Sequence, residues 1–387
     1  MNYDFDKILN RKNTNCLKWD FLKERFGADN LLPLWIADMD FRAPEPVLSA
    51  IRKTAGQGTF GYSGRPQAFY SSIISWMKKR HGVKIDPEWI VVVPGVLAGM
   101  CTAIRAFTKP GDKIIIQTPV YPPFSSIVTT NNRKLVINRL KIRNGRCEMD
   151  LAALEKQIDK RTKMLFLCSP DNPVGRVWEK QELEKLSRIC LKNNILVISD
   201  EIHSDIIFKG HKHVPFLSLS AETAKNSITC LSPGKTFSLA GLYISAIIIP
   251  DAKLRKEFYR EVEAAKIEAS EPFAITAFEA AYSHGEKWLE AALEYLEKNA
   301  DFLVDFVSKR MPALEVIKPE GTFLAWINFN KVSKNPDTIR NLLVKKAKVA
   351  LMTGSNFGPG GDGYYRLNFA CPRSILKTCL ERIEKVF

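Results

Sequence analysis

The chain has 387 residues, 45% of them hydrophobic, which is enough for a large core, points to two domains or three, and excludes a disordered tail protein. Its 57 basic and 42 acidic residues leave a formal charge of +15, which raises nucleic acid or an anionic ligand as a partner and decides neither. The basic residues come in short groups on segments of helical period, Lys78-Lys79-Arg80 and Lys345-Lys346-Lys348 among them, so they read as solvated helix faces and not as a nucleic-acid stripe.

Residues 1–15 carry Asp4, Asp6, Lys7 and Arg11 without an apolar stretch, so no signal peptide is read there and the cytoplasm is the expected compartment. The longest candidate for a membrane span, 89–107, is interrupted by Pro94, Gly95, Gly99 and Arg105, and no membrane partner is expected. From about 90 to 250, short β-branched runs alternate with amphipathic stretches, the pattern of an α/β protein with a mostly parallel sheet between helices. Strands are predicted at 90–93, 113–117, 135–137, 164–168, 195–199, 228–231 and 244–249, all too apolar to have one wet face. Helices are predicted at 95–107, 150–158 and 179–193, the last two opened by acidic residues that suit a helix amino terminus. Helical periodicity then runs from 251 to 310, and alternating strands at 323–329 and 364–369 mark a smaller α+β domain. The expected division is an amino-terminal segment (1–50) packing with the small domain, a large domain (51–285) and a small carboxy-terminal domain (286–387).

The eight cysteines are scattered without a CxxC pair and read as reduced, buried thiols. His211 and His213 form an HxH pair, yet no carboxylate or thiolate stands at a supporting spacing, so a solvated loop is expected and no metal.

In open α/β sheets ligands bind beyond the carboxyl ends of the strands. After 90–93 comes Pro94-Gly95-Val96-Leu97, opening a helix whose free N–H groups suit a phosphate. After 113–117 comes Tyr121 in a proline-stiffened turn, and after 164–168 comes Asn172 in Ser169-Pro170-Asp171-Asn172-Pro173. The run 195–199 is followed by Asp200-Glu201-Ile202-His203, and 228–231 by Ser232-Pro233-Gly234-Lys235-Thr236. An anion cradle, a flat ring, a carboxamide, a carboxylate and a lysine together suit pyridoxal 5'-phosphate, whose ring nitrogen must stay protonated to make it an electron sink. The lysine supplies the Schiff base, the carboxylate pairs with the pyridinium, the amide donates to the phenolic oxygen and the tyrosine stacks on the ring. Taken singly, Asp200 reads as well as a helix cap, Asn172 as a turn former, Tyr121 as a core aromatic and Lys235 as a surface charge.

Nearly the whole chain resembles the MalY/PatB-type cystathionine β-lyase branch of the class I/II aminotransferase superfamily, which are fold type I pyridoxal-phosphate enzymes. The resemblance lies in Leu34-Trp35-Ile36-Ala37-Asp38-Met39-Asp40-Phe41, Phe60-Gly61-Tyr62-Ser63, Tyr121-Pro122-Pro123-Phe124, Asn172-Pro173-Val174-Gly175-Arg176-Val177-Trp178, Ser199-Asp200-Glu201-Ile202-His203-Ser204-Asp205, Lys235-Thr236-Phe237 with Leu239-Ala240-Gly241-Leu242, and Arg366-Leu367-Asn368-Phe369-Ala370-Cys371-Pro372-Arg373. It implies Lys235 as the Schiff-base lysine, Asp200 as the pyridinium partner, Asn172 and His203 near the phenolic oxygen, and Tyr121 on the ring. It places Gly95, Val96, Leu97 and Ser232 at the phosphate, and Ala37, Asn172 and Arg366 at the amino-acid substrate. It also implies a homodimer in which Tyr62 reaches the neighbouring subunit's cofactor. Two departures are Gly234, where many relatives have serine, and Tyr243, where aminotransferases often place a phosphate-binding arginine; the phosphate then leans more on the Gly95 helix and Ser232.

The reaction implied is α,β-elimination from cystathionine or a cysteine S-conjugate, giving pyruvate, ammonia and a thiol, with amino-acid transamination as the alternative. A non-enzymatic regulator of the same fold is more distant, since the catalytic set is intact. Gly358 to Gly363 matches GxGxxG but precedes a strand and reads as a turn, and Gly234-Lys235-Thr236 lacks the first glycine of a Walker loop, where Thr229 stands.

Overall fold

The computed structural model describes residues 3–387, so the first two residues of the expected amino-terminal segment lie outside it. A branched Cβ packs well on a pleated surface, and the Ile- and Val-rich runs are extended for that reason. They form β1 (Ile90–Val93), β2 (Lys113–Thr118), β3 (Lys134–Arg139), β4 (Thr162–Cys168), β5 (Leu196–Asp200), β6 (Ser227–Leu231) and β7 (Ser245–Ile248). The spatial order is β1-β7-β6-β5-β4-β2-β3, parallel throughout except that β7 opposes both β1 and β6. Every strand but β7 therefore ends at one edge, which collects the polar residues that follow. β1, β5, β6 and β7 are buried along their whole length. β3 departs from the expectation of no wet face: it is the edge strand, with a neighbour on one side only, and stays partly exposed.

Helix boundaries follow local chemistry. Leu151–Gln157 is capped by Asp150, which accepts from the Ala153 amide, and Lys180–Lys192 opens on a capping box of Glu179 and Glu182. Val96–Phe107 follows Gly95, whose φ of 94° a residue with a Cβ rarely adopts. The helical stretch after 250 resolves into Ala252–Ala265, Pro272–His284 and Glu286–Arg310.

A second, antiparallel sheet follows, made of β8 (Glu315–Ile317), β9 (Leu324–Asn328), β10 (Met352–Thr353) and β11 (Tyr364–Asn368) in the order β8-β9-β11-β10. The amino-terminal segment is stitched to this region, since Leu32–Pro33 pairs in parallel with Val349–Ala350 and Asn368 N donates to Leu34 O. One apolar cluster runs from Phe41 through Phe278 to Phe369 and joins these parts.

His211 lies in an exposed loop, but His213 is buried with Nε2 2.9 Å from Glu201 Oε2. The reading of that pair as solvated is thus corrected for His213: a buried carboxylate twelve residues earlier in the chain supplies what water would have. Among the described residues, no cluster of His, Cys, Asp or Glu has the makings of a metal site, and all eight cysteines are free. Among the described residues no helix is long and apolar enough to cross a membrane. Residues 358–363 turn into β11.

Candidate active site

β5 delivers Asp200 to the carboxyl edge of the sheet, where it is buried. Its Oδ1 accepts only the Ile202 amide at 3.1 Å, and no cation bonds it among the described residues. Burial raises this carboxyl to about 7, with the Ile202 amide and the Lys235 charge opposing. From β6, Ser232 Oγ accepts from Gly234 N at 3.1 Å and donates to Ile244 O at 2.7 Å, capping the short Pro233–Thr236 turn that carries Lys235. Lys235 Nζ donates to Ala37 O at 2.6 Å. Burial lowers its affinity for a proton to about 8; Asp38 and Asp200 oppose that shift and Arg366 adds to it.

β4 leads to Asn172, whose Oδ1 accepts from Arg366 Nη1 at 2.9 Å. Arg366, on β11 of the second sheet, also donates from Nη2 to Trp35 O at 2.7 Å and lies over the Phe357 ring at 5.1 Å. Burial brings it down to about 10. His203 is buried edge-on to Phe323, and burial, reinforced by the charges of Lys235 and Arg366, keeps its ring neutral, well below the usual histidine value. Tyr121 is half-buried, with its phenol raised by burial in the joint field of Arg366, Asp200 and Tyr243. At the end of β1, Val96 and Leu97 open a helix, and their amides have no carbonyl one turn back to bond.

Lys235, Asp200, Asn172, His203, Arg366 and Ala37 thus meet at one edge, with Tyr121 beside them. Tyr62 does not join them within one chain; it stands fully exposed. Tyr243 has a left-handed backbone (φ 45°), is exposed, and its ring lies beside Gly95.

Sequence reasoning missed the backbone acceptors, Trp35 O and Ala37 O, because a carbonyl carries no residue identity. It also assigned no role to Glu201 and Asp205, although both carboxylates stand in the same short run as Asp200 and His203.

The polar groups left over fit pyridoxal phosphate. Arg366 Nε and His203 Nδ1 are buried without a hydrogen-bond partner, and Asp200 is a buried carboxyl lacking a cation. Such groups cost stability unless something pairs with them, and a protonated ring nitrogen, a phenolic oxygen and a substrate carboxylate are partners of the right sign.

The family profile for aminotransferase class I and II matches residues 29–383. Cystathionine β-lyase PatB of Bacillus subtilis (strain 168) is 41% identical over 98% of this chain and 99% of its own. A crystal structure from Clostridium difficile 630, pyridoxal-phosphate-bound and provisionally assigned as an aminotransferase, superposes with a TM-score of 0.98 at 46% identity, covering 100% of both chains. Cystalysin from Treponema denticola, whose crystal structure contains pyridoxal 5'-phosphate, superposes with a TM-score of 0.97 at 36% identity, covering 100% of this chain and 99% of its own.

Proposed function

Because the chain belongs to the class I and II aminotransferase family, we propose that it is a pyridoxal-phosphate-dependent carbon–sulfur β-lyase, turning cystathionine or a related cysteine S-conjugate into pyruvate, ammonia and a thiol. The fold is fold type I, and the observation that carries the lyase reading is the 41% identity to a cystathionine β-lyase over almost the full length of both chains. Pyridoxal phosphate, when bound, supplies an aromatic ring that accepts the electron pair left at the substrate's Cα.

The remaining work falls to this chain. Arg366 takes the substrate carboxylate through its planar fork, with Asn172 and Trp35 O fixing the guanidinium, and Ala37 lines the same place. Lys235 would hold the cofactor as its Schiff-base residue, and its Nζ, which as a free amine burial lowers to about 8, is placed to take the substrate's Cα proton and return it. Asp200, as a carboxylate, would pair with the ring nitrogen and keep it protonated, Asn172 and His203 would serve the phenolic oxygen, and Tyr121 would stack on the ring. The Gly95 turn with the Val96 and Leu97 amides holds the phosphate, joined by Ser232 when its hydroxyl turns from Ile244 O.

Two copies complete the site, each lending Tyr62 to the other's phosphate, a reading supported by the exposure of Tyr62 and Phe60 on a segment that precedes the large sheet. The chain divides functionally into 1–50, 51–285 and 286–387, with Arg366 brought from the last to residues of the second. Free thiols at all eight cysteines support a cytoplasmic setting.

Transamination begins with the same proton removal, and the likeness to the Clostridium structure keeps it as the second reading. Cystathionine supplied without any keto acid separates the two. The lyase forms pyruvate and free thiol over many turnovers, whereas release of the substrate's own keto acid, without thiol, that stops after one turnover until an amino-group acceptor is added overturns this reading.

A further inference from the structure

Four charged side chains of the amino-terminal segment close a ring beside Lys235. Arg11 donates from Nη2 to Asp38 Oδ2 at 2.7 Å and from Nη1 to Asp40 Oδ1 at 2.6 Å. Lys18 Nζ donates to Asp40 Oδ2 at 2.6 Å and lies 3.4 Å from Asp38 Oδ1. Only 1% of the Lys18 side chain is exposed, a burial that a cation tolerates only when paired. Two positive and two negative charges leave the ring neutral.

This ring holds a stretch of backbone that touches Lys235. Asn368 Nδ2 donates to Ile36 O and Asp38 O, each at 2.6 Å, and Asp40 N donates to Ala370 O at 2.8 Å. Between those tethers, Ala37 O meets Lys235 Nζ at 2.6 Å. We propose that Asp38, clamped by Arg11 and Lys18, is a positioning residue for Lys235: it fixes the neighbouring Ala37 carbonyl against Nζ and holds a carboxylate one residue from that contact. This deepens the reading of Lys235 as the proton carrier and rests on it.

The groups facing Lys235 come from four directions. Asp38 approaches on the amino-terminal segment, Asp200 and His203 follow β5, Arg366 stands on β11, and Tyr121 adjoins Asp200 and Arg366. Burial is the largest influence and lowers the lysine, Arg366 adds to that, and Asp38 opposes more strongly than Asp200. Burial works to raise the Asp38 carboxyl, but Lys18 and Arg11 outweigh it and keep Asp38 ionised where Lys235 titrates.

Removing opposite charges from one clasp separates tuning from scaffolding. The test uses Asp38→Asn, Arg11→Gln and Arg11→Lys in the full chain freed of cofactor, with the pH midpoint of Lys235 reductive methylation read by mass spectrometry. Asp38→Asn moves the midpoint down and Arg11→Gln moves it up, each by about 0.5 pH unit, as expected for one partly screened charge. Arg11→Lys keeps the wild-type midpoint. Shifts of the same sign in Asp38→Asn and Arg11→Gln, or no shift, overturn the proposal. Wild-type release of pyruvate from cystathionine, measured alongside, keeps the two readings apart. Pyruvate with no opposite shifts sinks only the clasp, and opposite shifts without pyruvate sink only the lyase assignment.

Discussion

Asp200 and Asp205 stand five residues apart in one run, both are buried, and their carboxyls are displaced in opposite directions. Asp200 has a single amide for a partner and burial raises it to about 7. Asp205 accepts from Trp76 Nε1 at 3.0 Å and Thr236 Oγ1 at 2.9 Å, and its Oδ1 lies 2.9 Å from His81 Nε2. Burial pushes Asp205 upward too, but His81, Thr236 and the nearby Arg80 charge outweigh it and hold it below the usual carboxylate range. Glu201 is supplied in the same way, with the Ser199 hydroxyl, the Phe216 amide and His213 Nε2 each at 2.9 Å. Burial alone therefore does not mark a functional carboxylate. The unfilled hydrogen-bonding capacity does, since a group already satisfied by the protein has nothing left for a ligand.

The largest effect expected from breaking this contrast is at Lys235, beside Asp200. Lys235→Ala lowers turnover of cystathionine by about 10⁴-fold, the upper range for loss of a positioned acid–base group, and leaves the Asp205 network intact. Pyruvate release and the thermal midpoint are the two readouts. Retention of a tenth of wild-type turnover would remove Lys235 from the chemistry.

The contrast sharpens when pH is varied on the cofactor-free protein. The Asp200 carboxyl is raised in the folded state from the usual 3.8 to about 7, so the native state binds its proton more tightly than the unfolded chain does. Stability is then full below about pH 4 and declines as pH rises towards 7, by about 4 kcal/mol if the whole shift is realised. Asp200→Asn removes that decline. For Asp205 the sign reverses: its contribution is present above the unfolded carboxylate value and is lost as pH falls through its lowered one. Denaturant midpoints from pH 4.5 to 7.5 measure the first effect, and an unchanged slope in Asp200→Asn would show that Asp200 is not the titrating group.

A smaller effect comes from the saturated side. Asp205→Ala leaves Trp76, His81 and Thr236 without their acceptor and destabilises the protein by about 3 kcal/mol, while cofactor-loaded turnover stays within about tenfold of wild type. Equilibrium unfolding and steady-state rates give the two numbers. A stability loss below about 1 kcal/mol would mean that these contacts hold little.

Local chemistry made much of the fold legible in the chain alone. The Ile- and Val-rich runs became strands, Asp150 and Glu179 started their helices, and Gly95 took the positive φ at the head of the Val96–Phe107 helix, because each depends on neighbours within one or two turns. Residues following those strands also named Lys235, Asp200 and Asn172, since a parallel sheet sends successive strand ends to one edge. What remained hidden depends on chain closure. Arg366 meets Asn172 across 194 residues and Lys235 meets Ala37 O across 198, and no local period encodes such contacts. His213 reads as solvated until Glu201 is folded beside it, and β3 reads as buried until the sheet ends there. The amino-acid sequence determined which groups reach the strand ends, through short-range propensity and the alternation of strand and helix. Only the tertiary structure decided which of those groups are saturated and which are left open, because satisfaction depends on donors and acceptors, many of them backbone, brought together from distant parts of the chain.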